Sequence, residues 1–251
     1  MARKPLGIVL YEGPSVLDGA PIVVVATGFH RTNNPKTGAM LQTWILRADV
    51  APIQAIRDGA DASVCGACPL RATVPGTLKG RDCYVRMTGP EGVWKAWKRG
   101  AYADGSTMGA SAFEALFSGR KLRMGAYGDP AAVPVIIWRY LSGIVMSWTG
   151  YTHQRSHVHF DVEILRYCMV SADTAAHVEN LPEGARSFRV LRPSDTMRAD
   201  EVYCPADAEK TRGRVTCASC GLCRGSSLRA RNVAIAAHGA ATGKELHSIT
   251  S

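Results

Sequence analysis

Six runs of β-branched, aromatic or otherwise apolar residues, most of them bounded by Gly, Pro, Asp or Ser, punctuate the chain. Pro21–Ala26 (PIVVVA) and Thr43–Leu46 (TWIL) come early; Lys121–Ala126, Gly143–Trp148, Arg166–Val170 and Ser187–Leu191 follow. Such runs predict strands. Between them, Val50–Gly59 starts after Asp49 as an N-cap and stops at a glycine, and Pro90–Lys98 and Ala110–Phe117 carry apolar residues at helical spacing. Ala131–Leu141 and Thr174–Asn180 read as crossover helices. From Lys121 to Leu191 strands alternate with helices, which predicts an α/β fold of parallel βαβ units, as an open sheet or a partial barrel.

In either architecture ligands gather at the carboxyl ends of the strands. The residues there are Tyr127-Gly128-Asp129-Pro130, Gly150-Tyr151-Thr152-His153-Gln154, Ser171-Ala172-Asp173 and Arg192-Pro193-Ser194-Asp195. Asp129, His153 and Asp173 would share one rim, where carboxylates and an imidazole can divide acid–base work. The same residues also suit plainer tasks: Asp129 and Asp173 as helix caps, His153 as a loop hydrogen-bonder.

Composition narrows the class. With 46% hydrophobic and 20% charged residues the chain is of ordinary globular make-up, and no segment reaches the roughly 18 consecutive apolar residues a membrane span needs. The start, MARKPLGIVLYEGPSVLDG, is basic but broken by Gly7, Glu12 and Pro14, so no export signal is expected and the compartment is expected to be cytoplasmic. A reducing compartment disfavours disulfides among the eight cysteines and favours metal ligation. The net charge of +9 suits a polyanionic partner such as nucleic acid, as well as mere solubility.

Two cysteine groups stand out. Cys217-x2-Cys220-x2-Cys223, with Cys204 upstream, offers four thiolates for tetrahedral zinc or for a cubane iron–sulfur cluster, within a cysteine-rich segment 201–251 packed on an α/β unit 1–200. His238 is an alternative ligand in a zinc site. Cys65-x2-Cys68 and Cys83 lie on an inserted loop, and three cysteines can hold a cubane cluster with one iron left open to a small molecule. Cys168 or a C-terminal cysteine could close that site; the apolar surroundings in RYCMV predict instead that Cys168 is a buried, inert thiol.

Two further patterns carry weaker chemistry. SHVHFDVEIL, read as a strand, puts His157, His159, Asp161 and Glu163 on one face with Tyr167 beyond, a set suited to a divalent ion or simply to solvent. Trp94, Trp97, Lys95, Lys98 and Arg99 could stack a base and meet phosphates, as could Arg224, Arg229 and Arg231; the indoles at helical spacing equally suit a core.

Taken together, CGACP followed by CYV, then RMGAYGDPAAVP, TGYTHQ and the C-terminal CASCGLC resemble a family of uncharacterised bacteriophage and prophage proteins, over about Gly13 to Gly239. More distantly, a cysteine group ending in Cys-Tyr ahead of βα units is similar to small phage proteins of the radical S-adenosylmethionine group. That resemblance implies a partial barrel, an iron–sulfur cluster on Cys65, Cys68 and Cys83, and S-adenosylmethionine as a co-substrate. The spacing here is Cys65-x2-Cys68-x14-Cys83 where that group has C-x3-C-x2-C. The expected function is therefore a metal-centre protein, with a zinc-stabilised nucleic-acid-binding protein or a non-catalytic phage protein as alternatives.

Overall fold

The computed structural model describes residues 4–30, 34–207 and 212–237, so His238 lies outside the described residues. β1 (Gly7–Pro14), β2 (Pro21–Thr27) and β3 (Met40–Arg47) form an antiparallel meander. Ile22 to Ala26 of β2 are wholly buried, which is why that run is continuously apolar rather than alternating. The chain then passes through α1 (Pro52–Arg57), α2 (Ala62–Cys65), α3 (Thr88–Lys98), β4 (Ala103–Asp104) and α4 (Ala110–Phe117). β5 (Lys121–Tyr127) joins parallel to β3, and after α5 (Val135–Ile144) the short β6 (Ser147–Thr149) joins parallel to β5. The first sheet has the order β4-β1-β2-β3-β5-β6.

A second sheet is parallel throughout. It is built from β7 (Tyr151–Thr152), β8 (Met169–Ala172), β9 (Ser187–Leu191), β10 (Glu201–Tyr203) and β11 (Asn232–Ala236), in the order β10-β11-β9-β8-β7. α6 (Ile164–Tyr167) and α7 (Ala175–Glu179) flank β8, and α8 (Cys217–Cys220) precedes β11. The fold is thus mixed α/β, with parallel strands from β5 onward and an antiparallel start. Of the described residues beyond 200, β10 and β11 are ladder strands of this sheet, with β11 directly beside β9 and β10 at its edge.

Only Gly150 separates β6 from β7, so one extended segment pairs with β5 in the first sheet and with β8 in the second. Its carbonyl accepts from the Met169 amide at 2.8 Å, and its own amide donates to the Cys223 carbonyl at 3.1 Å. A Cβ on Gly150 would lie 2.7 Å from Cys168 Sγ, closer than real contacts allow. Cys168 itself is fully buried in the first core, as an inert thiol should be. That core gathers β1–β3, β5, α4 and α5, with Phe117 edge-on to Phe29 at 5.4 Å and Trp138 donating to the Pro130 carbonyl at 2.8 Å. A second, smaller core joins Met169, Cys204, Cys223, Val233 and Ile235.

Several expected elements shift. Asp49 does not cap α1: Ala51 holds that position with Pro52 first in the helix, and Asp49 pairs with Arg47 at 2.8 Å. Gly143–Trp148 divides between the end of α5 and β6, and Arg166–Val170 between α6 and β8. SHVHFDVEIL is no strand; it is a succession of turns leading into α6, so His157, His159, Asp161 and Glu163 share no strand face. Local hydrogen bonds win over alternation there: the His157 amide donates to the Gln154 carbonyl and the Glu163 amide to Asp161 Oδ1. Glu163 is instead engaged by Arg139 and by the Tyr167 hydroxyl.

Candidate functional site

The first cysteine group sits at the carboxyl end of β5. The Asp129 amide donates to the Val64 carbonyl at 2.6 Å, tying the end of α2 to the strand exit. Gln154, two residues past the end of β7, then clamps the loop from the other side. Its Nε2 donates to the Cys65 carbonyl at 2.8 Å, and its Oε1 accepts from the Ala67 amide at 3.0 Å. Gly66 sits between these contacts with φ +53, and a Cβ there would fall 2.0 Å from Gln154 Oε1, so any other residue would be strained and would displace the glutamine. Farther along, Arg71 forks onto Asp61 with bonds of 3.0 and 2.6 Å and also donates to the Gly66 carbonyl at 2.9 Å. Arg81 donates to the carbonyls of Cys83 and Val85.

Asp129, His153 and Asp173 do meet on this rim, as their positions after parallel strands require. Asp129 is buried and fully engaged: Oδ1 accepts from the Ala131 amide at 3.0 Å, Oδ2 from the His153 amide at 2.8 Å and from Gln154 Nε2 at 3.3 Å. Burial pushes its carboxyl up, against the lowering effect of these donors. With its acceptor sites occupied, Asp129 splices β5 to β7 and positions the backbone of His153. Asp173 does not cap α7; Thr174 does, through its hydroxyl. The Asp173 carboxylate instead faces His153 Nε2 at 3.5 Å and His177 Nδ1 at 3.6 Å.

His153 has that carboxylate on one side and Cys68 as a second neighbour that favours its charge. Burial opposes its charge, but Asp173 and Cys68 prevail and raise it to about 10. The rim therefore favours positive charge at the imidazole, beside the Asp173 carboxylate. The Cys65 thiol is pushed well up, first by burial and then by the nearby Cys68, Asp61 and Cys83. Burial also raises Cys83, which feels Arg81, Cys68 and His153. Tyr127 is 4% exposed, its hydroxyl has no hydrogen-bond partner among the described residues, and Cys65 and Cys83 lie within its electrostatic reach.

The second group gathers near the amino end of β5. Thr216 caps α8 in a reciprocal box with Ser219, and Gly221 ends it in the left-handed region. The amides of Cys217 and Ala218 donate to the carbonyls of Lys36 and Thr37, and Lys121 donates to the Ala218 carbonyl. The Cys204 amide donates to Ala234 of β11 at 2.7 Å, which brings that distant cysteine in. Cys223 is pushed up to about 12, chiefly by burial; Tyr151 opposes this, while Cys204, Cys217 and Cys220 add repulsion. Cys204 and Cys217 are likewise raised by burial, and Lys36 counters that in both.

Arg123 stands between the groups. Its Nη2 donates to the Tyr84 hydroxyl at 2.8 Å, next to Cys83, while Cys217 lies within its electrostatic reach. All eight cysteines are free thiols, and the two groups occupy opposite ends of β5 rather than one site. Among the described residues, no group of three or more His, Cys, Asp or Glu side chains is disposed as a ready-made ion cage.

The sequence alone assigns no task to Gln154, Tyr127 or Lys36, although Gln154 is the one amide side chain on the four strand-end loops and so carries a signal. Lys36 and Arg123 carried no signal, because their partners are distant in sequence. The indole N–H groups of Trp94 and Trp97 are used on the Arg47 carbonyl and on Glu12. A shallow groove of about 440 Å³ runs by Arg186, Arg229 and Arg231, far along the chain from the rim residues, and Arg186 spends its guanidinium on four backbone carbonyls. No helix among the described residues is long and apolar enough to cross a membrane.

Comparison of the chain with protein-family models, curated proteins and solved structures finds no match. What the residues can do must therefore be argued from their own chemistry.

Proposed function

We propose that the chain is a phage-type metal-centre protein with two cysteine-ligated sites on one partial-barrel framework, iron–sulfur in nature. The observation that carries the reading is the clamp at the rim. A glutamine, a carboxylate and a glycine at positive φ hold the Cys65–Cys68 turn beside His153 and Asp173, at the strand ends where parallel sheets place ligands. Fixing free thiols there, instead of apolar side chains, makes sense when sulfur is used as a ligand. Sulfur is a soft donor that selects iron–sulfur clusters and zinc over hard cations.

The roles then divide by place. Cys204, Cys217, Cys220 and Cys223 serve as the all-sulfur site, anchored through Cys204 and Cys223 in the second core, against which Tyr151 packs. Cys65, Cys68 and Cys83 serve as the rim site, where a bound substrate would meet the metal and S-adenosylmethionine is one candidate. Asp129 positions; His153 and Asp173 are the groups able to move a proton.

The test is anaerobic purification followed by analysis of iron, acid-labile sulfide and zinc. Brown protein with broad visible absorbance and iron matched by sulfide supports the reading. Colourless protein with stoichiometric zinc replaces it with a zinc-stabilised protein, and salt-sensitive retention on single-stranded DNA would then assign it to nucleic acid. Folded protein with neither metal sinks the proposal.

A further inference from the structure

The groove of about 440 Å³ at the amino ends of β9 and β11 holds positive charge that its own residues leave unbalanced. Arg186 is 5% exposed, and its guanidinium donates to the carbonyls of Leu222, Gly225, Ala230 and Arg231. Carbonyl dipoles solvate a cation without neutralising it, and among the described residues no carboxylate pairs with Arg186. Arg231 donates to another carbonyl, that of Ala199, and the exposed guanidinium of Arg229 makes no hydrogen bond or ion pair among the described residues. Asp200, the acidic residue on the groove, is already occupied by Arg198 Nε and by the Asn232 amide, each at 2.9 Å. Three arginines therefore line the groove beside one satisfied carboxylate.

We propose that this groove binds the phosphate backbone of duplex nucleic acid, with Arg229 and Arg231 meeting phosphates and the buried Arg186 charge raising the potential beneath them. A cleft of one charge sign against low-dielectric walls focuses its field, and a buried charge is screened far less by salt than an exposed one. The walls are fixed in advance. Arg186 fastens the loop that carries Ala230 and Arg231, and the Ser187 amide donates to Asn232 Oδ1 at 2.8 Å. Little ordering then remains to be done on binding.

The lining also selects among polyanions. Its other residues are small or neutral, and none is aromatic, so there is no platform for stacking an unpaired base. Contact falls on phosphates, and a duplex presents them at the higher charge density. An anionic membrane would be gripped by exposed apolar side chains beside the cations, and none of the large exposed hydrophobics lines the groove. A protein partner would need buried aromatic or aliphatic anchors, for which the groove offers only the half-buried Leu228. The inference does not depend on the metal-centre reading, since the groove contains no cysteine.

The test is fluorescence anisotropy of a labelled duplex of mixed sequence with the full chain, titrated at several salt concentrations. Two phosphates engaged should give a log–log salt slope near −2, or roughly a tenfold loss of affinity for a fourfold rise in salt. Arg229→Glu should weaken binding about tenfold or more at low salt and bring the slope about one unit closer to zero. That side chain is exposed and without a partner among the described residues, so the variant should fold; circular dichroism checks it. Arg57→Glu, at an exposed arginine on α1, makes the same change in net charge away from the groove and should have a much smaller effect.

Equal weakening by the two substitutions overturns the assignment, because diffuse charge would then explain it. So does the absence of duplex binding at low salt, or tighter binding to a single strand than to the duplex. Release of the duplex by inorganic phosphate at matched ionic strength, or capture by vesicles of phosphatidylglycerol without capture of DNA, also overturns it in favour of a small anion or a membrane. Metal analysis decides the earlier reading separately, so the two can fail independently.

Discussion

The two cysteine groups differ in what holds them. Cys204 and Cys223 are buried members of the second core, joined through β10, β11 and the Gly150 joint. Cys65, Cys68 and Cys83 hang instead on a largely irregular segment, fastened by Gln154, Asp129 and the Arg71–Asp61 fork. Sulfur built into a core is hard to disturb without unfolding its surroundings, whereas sulfur on a clamped loop can change its ligation locally. The contrast teaches that a cysteine's chemistry is set by its attachments as much as by its neighbours.

The comparison can be broken most readily by cutting the support of the second sheet. Glu201 and Arg189 form a buried, bidentate pair with two contacts of 2.7 Å. Glu201→Gln should cost about 3–5 kcal/mol, because it leaves a buried guanidinium without its counter-charge. Urea denaturation would register the loss. Burial tends to raise the Glu201 carboxyl, but Arg189 and the Arg198 amide outweigh it and hold it below its ordinary value. Its stabilisation is therefore complete at neutral pH and fades as acid takes the solution below the usual glutamate range. Glu201→Gln should flatten that acid limb; an unchanged limb would show that other groups govern it.

Next in size, Cys223→Ser should destabilise by about 2–3 kcal/mol, through loss of a buried apolar sulfur and introduction of a hydroxyl into a core. Cys68→Ser, on the clamped loop, should cost under about 1 kcal/mol. Equal costs in chemical denaturation would erase the distinction between the groups. At the clamp itself, Gly66→Ala should cost about 1–3 kcal/mol, from the positive φ and the collision with Gln154. Gln154→Ala should cost about 1–2 kcal/mol and speed amide exchange at Cys65 and Ala67, leaving exchange in β11 unaltered. Smallest of all, His157→Ala should change stability by less than about 0.5 kcal/mol, because that side chain lies in a partly exposed turn. A larger loss would show that the turn supports the rim.

Much of the second half of the fold was legible. Lys121–Ala126 and Ser187–Leu191 are strands because continuous apolar or alternating runs leave few other ways to bury them. Their parallel direction followed from the intervening helices, and so did the meeting of Asp129, His153 and Asp173 on one rim. What stayed hidden depended on contacts across long separations. β1 and β4 pair in parallel from positions 8 and 103, and a two-residue strand has no periodicity to read. The misreading of SHVHFDVEIL has a physical cause as well: alternation describes a surface, and a chain of turns can alternate in sequence without presenting one.

The Gly150 joint carries one more implication. Side chains along an extended backbone alternate sides, and Tyr151, which packs against the core that holds Cys223, immediately follows the joint. Lengthening the linker by one residue would turn the phenol away from that core and bring its neighbour round to the same spot. The spacing between the sheets thus works like the pitch of a key: a single notch decides which side chain arrives at the lock.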